Sequence, residues 1–206
     1  MAVFNIIGCG GFTAEVLHEV EQIYADKNFE FLFFDDSKTS YEYCGCNFSV
    51  APINDARKDI PTIITISDNV SRENIIRRLK CLGISIFPNI ISKNALVLPN
   101  TKLGIGNIVM PFVILSSNVH LGDFNIINSY SGLGHDSVLK SYCTLGPRVN
   151  IGGSTTIGNN VNIGQGSLIQ QGLTLGDQTT IFMGSVLIRN TKEKSTYGSE
   201  FSRRIL

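Results

Sequence analysis

The chain has no excess of charge of either sign, since its 17 basic residues are balanced by 17 acidic residues. A chain without a basic excess lacks the electrostatic footprint of a nucleic-acid-binding protein. It also lacks an uninterrupted membrane-spanning apolar run, because the longest apolar stretch, from Ile108 to Leu115, contains Pro111. No basic segment precedes the apolar residues at the N-terminus, so we expect neither a signal peptide nor insertion into a membrane.

Cysteines are few, odd in number and scattered, at positions 9, 44, 46, 81 and 143. This distribution does not indicate a disulfide framework. Cys44 and Cys46 are separated by a single residue, which is too close for the usual zinc knuckle, and no second pair exists. We therefore expect a reduced, cytoplasmic protein that binds no metal.

The sequence instead carries one dominant pattern, an aliphatic residue at every sixth position. Its members are Ile91, Val97, Leu103, Val109, Leu115, Leu121, Ile127, Leu133, Leu139, Leu145, Ile151, Ile157, Ile163, Ile169, Leu175, Ile181 and Leu187. A fixed short period of this kind is the signature of a solenoid. We call these residues the comb, and each six-residue unit that begins with a comb residue a hexad.

The hexads predict a triangular prism with three short strands in each 18-residue coil. The comb residue points inward and stacks on its equivalent in the next coil. A glycine at the second place, as in Ile157-Gly158, is expected to permit the sharp corner. Successive coils should stack at about 4.8 Å, the spacing of strands in a sheet. Residues 88–206 would form between five and six coils with a C-terminal tail, and the crossover rule favours a right-handed path.

Residues 1–87 alternate instead between strand and helix patterns, which predicts a small α/β domain with a parallel sheet. Thr13 is a candidate N-cap for the first helix. The predicted strands are Ala2–Ile7, Phe29–Phe34, Pro61–Ile66 and Ile84–Phe87, and the predicted helices are Thr13–Tyr24 and Ser71–Leu82.

A glycine turn between the first strand and the first helix indicates a phosphate site, because backbone N–H groups at a helix start can bind phosphate. Asp35 and Asp36 end the second strand, where dinucleotide folds make their ribose contacts. Residue 13 is Thr rather than Gly, so the dinucleotide fingerprint is incomplete and we favour a nucleotide sugar over a redox cofactor. A small α/β domain that binds nothing is the alternative. The residues expected to line this pocket are Gly8, Gly10, Gly11, Phe12, Asp35, Asp36, Ile66 and Ser67.

The comb and four short motifs resemble the hexapeptide-repeat acyltransferases. Between residues 3 and 190, the chain is similar to the subfamily of nucleotide-sugar N-acetyltransferases and sialic acid O-acetyltransferases. The resemblance implies an N-terminal Rossmann-like α/β domain followed by a left-handed parallel β-helix, which overrules the crossover rule. The motifs are Ile6-Ile7-Gly8-Cys9-Gly10-Gly11, Phe33-Phe34-Asp35-Asp36, Asn128 with Gly134-His135-Asp136, and Ile151-Gly152-Gly153.

The resemblance implies an acetyl-CoA-dependent enzyme that acetylates the 4-amino group of a UDP- or dTDP-linked 4-amino-4,6-dideoxy sugar. Such sugars supply surface polysaccharides, including the O-antigen of lipopolysaccharide, or glycans. The resemblance also implies a homotrimer, with acetyl-CoA between adjacent β-helices and the nucleotide sugar on the N-terminal domain. Two segments depart from the family pattern. Gly10-Gly11-Phe12-Thr13 replaces the usual Gly-Gly-His-Gly, and the residues after Gly198 lack the usual Gly-x-Pro-Ala-Lys tail.

His135 is the predicted catalytic base, because it falls in the family's His-acid pair and histidines ordinarily titrate near neutral pH. Asp136 would orient the imidazole, as acids do in triads. Gly153 lies 18 residues after His135, one full coil, so its backbone N–H should face the same corner and stabilise an oxyanion. The resemblance further implies that Asn128 orients the acceptor. It places Thr144, Gln165 and Gly184 along the pantetheine arm of acetyl-CoA.

Three other readings differ in chemistry or class. O-acetylation of a sugar of the sialic acid type would use the same base with a hydroxyl nucleophile. A sugar-binding trimer without catalysis is the non-enzymatic alternative. A zinc carbonic-anhydrase-like β-helix is rejected, because His120 and His135 occupy different hexad places and the repeat has no third histidine. In each reading we expect the N-terminal domain and the tail after Arg189 to cap the solenoid ends.

Overall fold

The computed structural model describes residues 2–198, and its larger part is a three-walled solenoid. Its strands are two residues long and pair in parallel with strands 18 residues away, apart from the last. The first wall contains Ile90–Ile91, Ile108–Val109, Ile126–Ile127, Thr144–Leu145, Asn162–Ile163, Thr180–Ile181 and Thr196–Tyr197. The second contains Leu96–Val97, Ile114–Leu115, Gly132–Leu133, Asn150–Ile151, Leu168–Ile169 and Val186–Leu187. The third contains Lys102–Leu103, His120–Leu121, Val138–Leu139, Thr156–Ile157 and Thr174–Leu175.

The comb builds the core of this solenoid, as the sequence predicts. Each comb residue is the second residue of its strand, and Leu133 pairs in register with Leu115 below and Ile151 above. Every comb residue from Val109 to Leu187 is buried. Burying one such side chain contributes about 1.5–3 kcal/mol relative to leaving it exposed, so the repeated stack is the main source of stability for the solenoid.

The corners are not turned by glycine, which corrects the expectation from the sequence. The residue at the fourth hexad place adopts the left-handed conformation in every hexad from Asn100 to Gly184, with φ between 54° and 73°. Glycine at the second place has another purpose. A Cβ on Gly134 would lie 2.4 Å from the backbone nitrogen of Gly153 in the next coil. The glycine therefore permits the close approach of coils.

The N-terminal domain is a five-stranded sheet with one helix on each face. Its elements are β1 (Ala2–Ile7), α1 (Gly11–Ile23), β2 (Phe29–Phe34), β3 (Ser40–Tyr43), β4 (Cys46–Ala51), a 3₁₀ turn (Ile53–Asp55), β5 (Thr62–Ile64) and α2 (Asn69–Cys81). The strand order is β3-β4-β2-β1-β5, and all pairs are parallel except the β3–β4 hairpin. The predicted parallel sheet is therefore present, with an added hairpin at one edge.

Four local features of this domain differ from the prediction. The hairpin was not expected, and residues 84–87 form no strand, although the carbonyl of Ile86 accepts a hydrogen bond from Thr62 N. Thr13 is not the cap of α1. It is buried in the first turn, and its hydroxyl bonds to the carbonyl of Gly8, while Gly10 is the N-cap. Helix α2 begins earlier than predicted, since the Asp68 carboxylate caps it.

The N-terminal domain lies along the first wall rather than over the first coil. The outward-facing Ile108 and Ile126 of that wall are buried in one cluster with Val16 of α1. In the first coil, by contrast, the comb residue Val97 is 38% exposed although it points inward. The expected N-terminal cap is therefore wrong. At the other end, the strand Thr196–Tyr197 extends the first wall, and the predicted departure after Gly198 lies outside the described residues.

Candidate active site

The corner between the second and third walls, which we call the second corner, presents His135 to solvent. Asp136 follows it at the left-handed position, with φ of 59°. This conformation brings the Asp136 carboxylate to 2.7 Å from Nδ1 of His135. A carboxylate at Nδ1 selects the tautomer in which Nδ1 carries the proton, which leaves Nε2 free to accept one.

A third residue at the second corner, Asn118, was missed by the sequence analysis. Its side-chain amide donates a 2.9 Å hydrogen bond to the second carboxylate oxygen of Asp136. The hydrogen bonds from His135 and Asn118 hold the pKa of Asp136 below its ordinary value. Asp136 therefore stays ionised near neutral pH. The signal was available, because Asn118 precedes Asp136 by one 18-residue coil.

Gly153 stacks directly on His135, as the register predicts. The carbonyl of His135 accepts a 2.7 Å hydrogen bond from Ser154 N in the next coil. A Cβ on Gly153 would lie 2.8 Å from Nε2 of His135, so only glycine leaves the ring its space. Within residues 2–198, the N–H of Gly153 donates to no other group. An N–H without an acceptor among the described residues and the ring of His135 thus lie at the same corner in adjacent coils.

The corner between the first and second walls, which we call the first corner, carries three other predicted residues. Asn128 lies there, and its side-chain oxygen accepts a 2.9 Å hydrogen bond from Ser129 N. Gln165 and Gly184 line a groove of 430 Å³ at the same corner, together with Arg148. Because the second wall separates the two corners, a single chain does not bring Asn128 and His135 together.

Thr144 is not beside this groove. It lies on the first wall, where its hydroxyl donates a 2.9 Å hydrogen bond to the carbonyl of Ser67. The same hydroxyl accepts a hydrogen bond from Arg72. Thr144 therefore joins the two domains, and its predicted place along the pantetheine arm is wrong because its hydroxyl is already engaged.

A second cavity of 270 Å³ opens where the N-termini of α1 and α2 meet, and it gathers most of the predicted nucleotide-sugar residues. The cavity is also bordered by Cys9, Thr65, Asp68 and Ser71. The predicted residues that line it are Gly8, Gly10, Gly11, Phe12, Asp35, Ile66 and Ser67.

The floor of this cavity is open backbone. Gly8 requires glycine, because its φ is +97° and a Cβ there would lie 2.9 Å from Cγ1 of Ile66. At Gly10 and Gly11, by contrast, a Cβ would meet no atom within 4 Å. The N-cap Gly10 supplies no side-chain acceptor, so the first N–H groups of α1 are open to an anion.

The two neighbouring aspartates have different surroundings. Asp35 accepts a 3.0 Å hydrogen bond from Cys9 N and two from Ser37. Burial alone would raise the pKa of Asp35, but these hydrogen bonds and the charge of Lys38 lower it overall. Asp36 does not reach the cavity. It pairs with Arg78 and accepts from Ile53 N, so its predicted ligand contact is wrong.

Arg72 is a second residue that the sequence analysis missed. Its guanidinium is buried and donates to the carbonyls of Ile66 and Ser67 at the cavity edge. It also donates to the carbonyls of three β-helix residues, Phe124, Tyr142 and Cys143. Burial lowers the pKa of Arg72 to about 10. Arg72 therefore fixes one wall of the cavity to the β-helix through a charged group whose partners are carbonyls and one hydroxyl.

The outer face of the second wall is apolar and exposed. Leu96, Ile114, Leu168 and Val186 point outward from its strands and are 46–61% exposed. The adjoining first corner adds Phe112 and Tyr130, whose rings stack at 4.9 Å, so the apolar surface extends around that edge. An apolar patch of this extent is typical of a protein–protein interface.

Comparison with known families and proteins agrees with this architecture. The family model described as "Bacterial transferase hexapeptide (six repeats)" matches residues 136–171. A curated relative, the uncharacterized protein L142 of Acanthamoeba polyphaga mimivirus, is 32% identical over 123 residues. This match covers 58% of the chain, and it spans only 24% of the relative's length. The segment that the family model matches lies within the β-helix.

Several solved structures share the fold over nearly the whole chain. WeeI from Acinetobacter baumannii AYE is 27% identical, with a TM-score of 0.86 over 95% of this chain and 96% of that one. The acetyltransferase domain of PglB from Neisseria gonorrhoeae, solved with acetyl coenzyme A, is 24% identical, with a TM-score of 0.85 over 96% of each chain. Perosamine N-acetyltransferase from Caulobacter crescentus, solved with CoA and GDP-perosamine, is 24% identical, with a TM-score of 0.85 over 97% and 94%.

These matches confirm two predictions. The fold class is an α/β domain followed by a left-handed parallel β-helix, because the solved structures share it across nearly the whole chain. The resemblance to hexapeptide-repeat transferases is likewise confirmed over residues 136–171. Among residues 2–198, no helix is both long and apolar enough to cross a membrane. The same residues contain no cluster of three or more His, Cys, Asp or Glu side chains suited to a metal ion.

Proposed function

We propose that this protein is an acetyl-CoA-dependent N-acetyltransferase that acts on the 4-amino group of a nucleotide-linked 4-amino-4,6-dideoxy sugar. The observation that carries the proposal is the His135–Asp136 pair, at 2.7 Å, stacked against Gly153, whose N–H has no acceptor within residues 2–198. The likeness to N-acetyltransferases solved with CoA or acetyl coenzyme A supports the same reaction. A cytoplasmic site of action fits this use of acetyl-CoA.

In the proposed mechanism, each group has one step. His135 Nε2 takes the amine proton as the amine nitrogen attacks the thioester carbon. The N–H of Gly153 stabilises the negative oxygen of the tetrahedral intermediate. Asp136, oriented by Asn118, stabilises the imidazolium that forms. The C–S bond then breaks, and His135 returns the proton to the CoA sulfur, so proton and charge balance is complete.

A homotrimer would complete the site. The apolar second wall separates the corner that carries His135 from the corner that carries Asn128 and the groove of Gln165 and Gly184. A cyclic trimer that buries this wall would bring the second corner of one protomer to the first corner of the next. His135 follows Ser129 by one hexad in the sequence. In such a trimer, His135 of one protomer would therefore lie one hexad further along the solenoid axis than Ser129 of the adjacent protomer.

The 270 Å³ cavity is the proposed nucleotide-sugar site. Its open glycine backbone at the start of α1 suits a pyrophosphate. Asp35 suits a ribose or base donor, because its carboxylate is held ionised at the end of β2. UDP-, dTDP- and GDP-linked sugars all satisfy this chemistry, and a surface polysaccharide or glycan pathway would supply them.

CoA release tests the proposal. The protein would be mixed with acetyl-CoA and a panel of UDP-, dTDP- and GDP-linked 4-amino-4,6-dideoxy sugars. Release with one sugar should fall about 10²–10⁴-fold in His135→Ala, the usual contribution of a general base. His120→Ala is the matched control, because His120 is an exposed histidine on a strand of the third wall. Full activity in His135→Ala would remove the proposed mechanism. Release with a hydroxyl sugar alone would assign O-acetylation, and failure to bind acetyl-CoA would assign a binding role.

A further inference from the structure

A separate pocket lies between α1 and the first corner and belongs to neither site described above. Its volume is 410 Å³. We call it the α1 pocket. Its lining includes Glu15, His18 and Glu19 of α1 and Met110, Pro111 and Ser129 of the β-helix. None of the residues predicted from the sequence lines this pocket.

Glu19 is the unusual feature of the α1 pocket. It is 5% exposed, yet it has no hydrogen-bond or ion-pair partner among residues 2–198. Its carboxylate oxygens are not sealed from solvent, because among the described residues Asn160 Oδ1 is the side-chain atom that is buried without a partner. The carboxylate of Glu19 therefore faces the open space of the pocket without a protein partner. A protein that keeps such a group in a pocket gains from it when a complementary ligand binds.

The chemistry of the lining indicates a cationic ligand. Glu15 and Glu19 are one helical turn apart on the same side of α1, and no Lys or Arg of the described chain lines the pocket. Glu15, His18 and Glu19 do not form a metal site, because no three His, Cys, Asp or Glu side chains among residues 2–198 are grouped to hold a metal ion. An alkylammonium group fits better, because it combines one positive charge with an apolar carbon frame that Met110 and Pro111 can contact.

The location links this pocket to the proposed reaction. Ser129 lines the pocket, and its N–H bonds to the side chain of Asn128. Asn128 is the residue proposed to orient the acceptor. We propose that the α1 pocket binds the sugar of the acceptor through its ammonium form, with Glu19 as the counter-ion. This inference rests on the proposed function and concerns binding, not the acetyl-transfer step.

An ion pair between Glu19 and the ammonium group of the bound sugar, formed before the reaction, predicts a specific effect on the kinetic constants. The amine must lose its proton before it attacks, so Glu19 strengthens binding of the sugar without assisting the transition state. Glu19→Gln should therefore raise KM for the amino-sugar nucleotide about tenfold or more, since charge-assisted hydrogen bonds are the strong ones. The kcat should not fall, and the KM for acetyl-CoA should not rise. Glu30→Gln is the control, because Glu30 is exposed on β2.

A binding measurement separates this inference from the proposed function. Calorimetry would compare methyl 4-amino-4,6-dideoxyglucopyranoside with its neutral 4-acetamido derivative at pH 7. We expect the wild-type protein to prefer the amine and Glu19→Gln to lose that preference, while both remain folded by thermal melting. Preference without turnover would retain the pocket and overturn the acetyltransferase proposal. Turnover with an unchanged KM in Glu19→Gln would overturn the pocket.

Discussion

The β-helix and the N-terminal domain reach their structures by different rules. In the β-helix, one environment recurs every six residues, so Leu133 is packed like Leu115 and Ile151. In the N-terminal domain, each element depends on a partner that occurs once, such as the β3–β4 hairpin or the contacts of Arg72. The repeat supplies a rigid frame for the proposed catalytic corner, and the unique contacts fix the proposed nucleotide cavity to it. Substitutions should therefore act differently in the two regions.

The largest expected effect comes from the contact that joins the two regions. Arg72→Met removes the bonds to Phe124, Tyr142 and Cys143 and leaves their carbonyls without this donor. We expect a loss of about 3–5 kcal/mol in the free energy of unfolding, as for other broken buried charged contacts. Chemical denaturation followed by circular dichroism would measure it. Arg77→Met is the control, because Arg77 is exposed. Equal stability of the two variants would contradict the role of Arg72.

Within the β-helix, a single methyl group should break the close approach of coils. A Cβ on Gly164 would lie 2.4 Å from Met183 N in the next coil. Gly164→Ala should cost about 1–3 kcal/mol through overpacking and lower the melting temperature by several degrees. An unchanged melting temperature would show that the coils can separate at no cost.

A glycine-to-alanine substitution in the N-terminal domain should affect nucleotide-sugar binding and not folding. A Cβ on Gly11 meets no protein atom within 4 Å and would instead project into the nucleotide cavity. Gly11→Ala should keep the melting temperature and weaken nucleotide-sugar binding about tenfold, or ~1.4 kcal/mol. Calorimetric titration would measure the affinity. Unchanged affinity would place the nucleotide elsewhere.

The smallest effect concerns acid stability. Asp35 has a lowered pKa in the folded state, so its ionised form stabilises the fold above the unfolded pKa. That contribution disappears as the pH falls through the folded pKa. Asp35→Asn should cost about 1 kcal/mol at pH 7, the usual value of such hydrogen bonds, and progressively less below pH ~4. Melting curves at several pH values, with the exposed Asp26→Asn as control, would detect it. If the stability difference between Asp35→Asn and the wild-type protein stayed constant with pH, ionised Asp35 would not be its source.

The sequence predicts the two regions to different extents for the same physical reason. The period places His135 and Gly153 on one corner, because an 18-residue offset is a local rule that holds along the whole repeat. The same rule could have found Asn118. The position of Arg72 has no such rule, because its bonds reach more than fifty residues along the chain.

The errors follow the same division. Tyr41 and Tyr43, before the Cys44-Gly45 turn, alternate as hairpin strands do, and this weak signal was overlooked. Asp36 carries the same chemistry as Asp35, but Arg78 of α2 engages it, and only the tertiary structure brings α2 there. Thr144 is correctly placed in its strand, yet the domain that packs on that wall decides its contacts.

The most direct test of the central proposal is complementation between inactive variants. His135→Ala and Asn128→Ala should each lose CoA release, since each removes one half of the proposed site. Mixed trimers formed after unfolding and refolding together would regain intact sites wherever His135 of one protomer meets Asn128 of the next. Random assembly predicts activity near a quarter of the wild-type value, because three-quarters of the trimers are mixed and each has one such junction. No recovery in verified mixed trimers would contradict an active site shared between protomers.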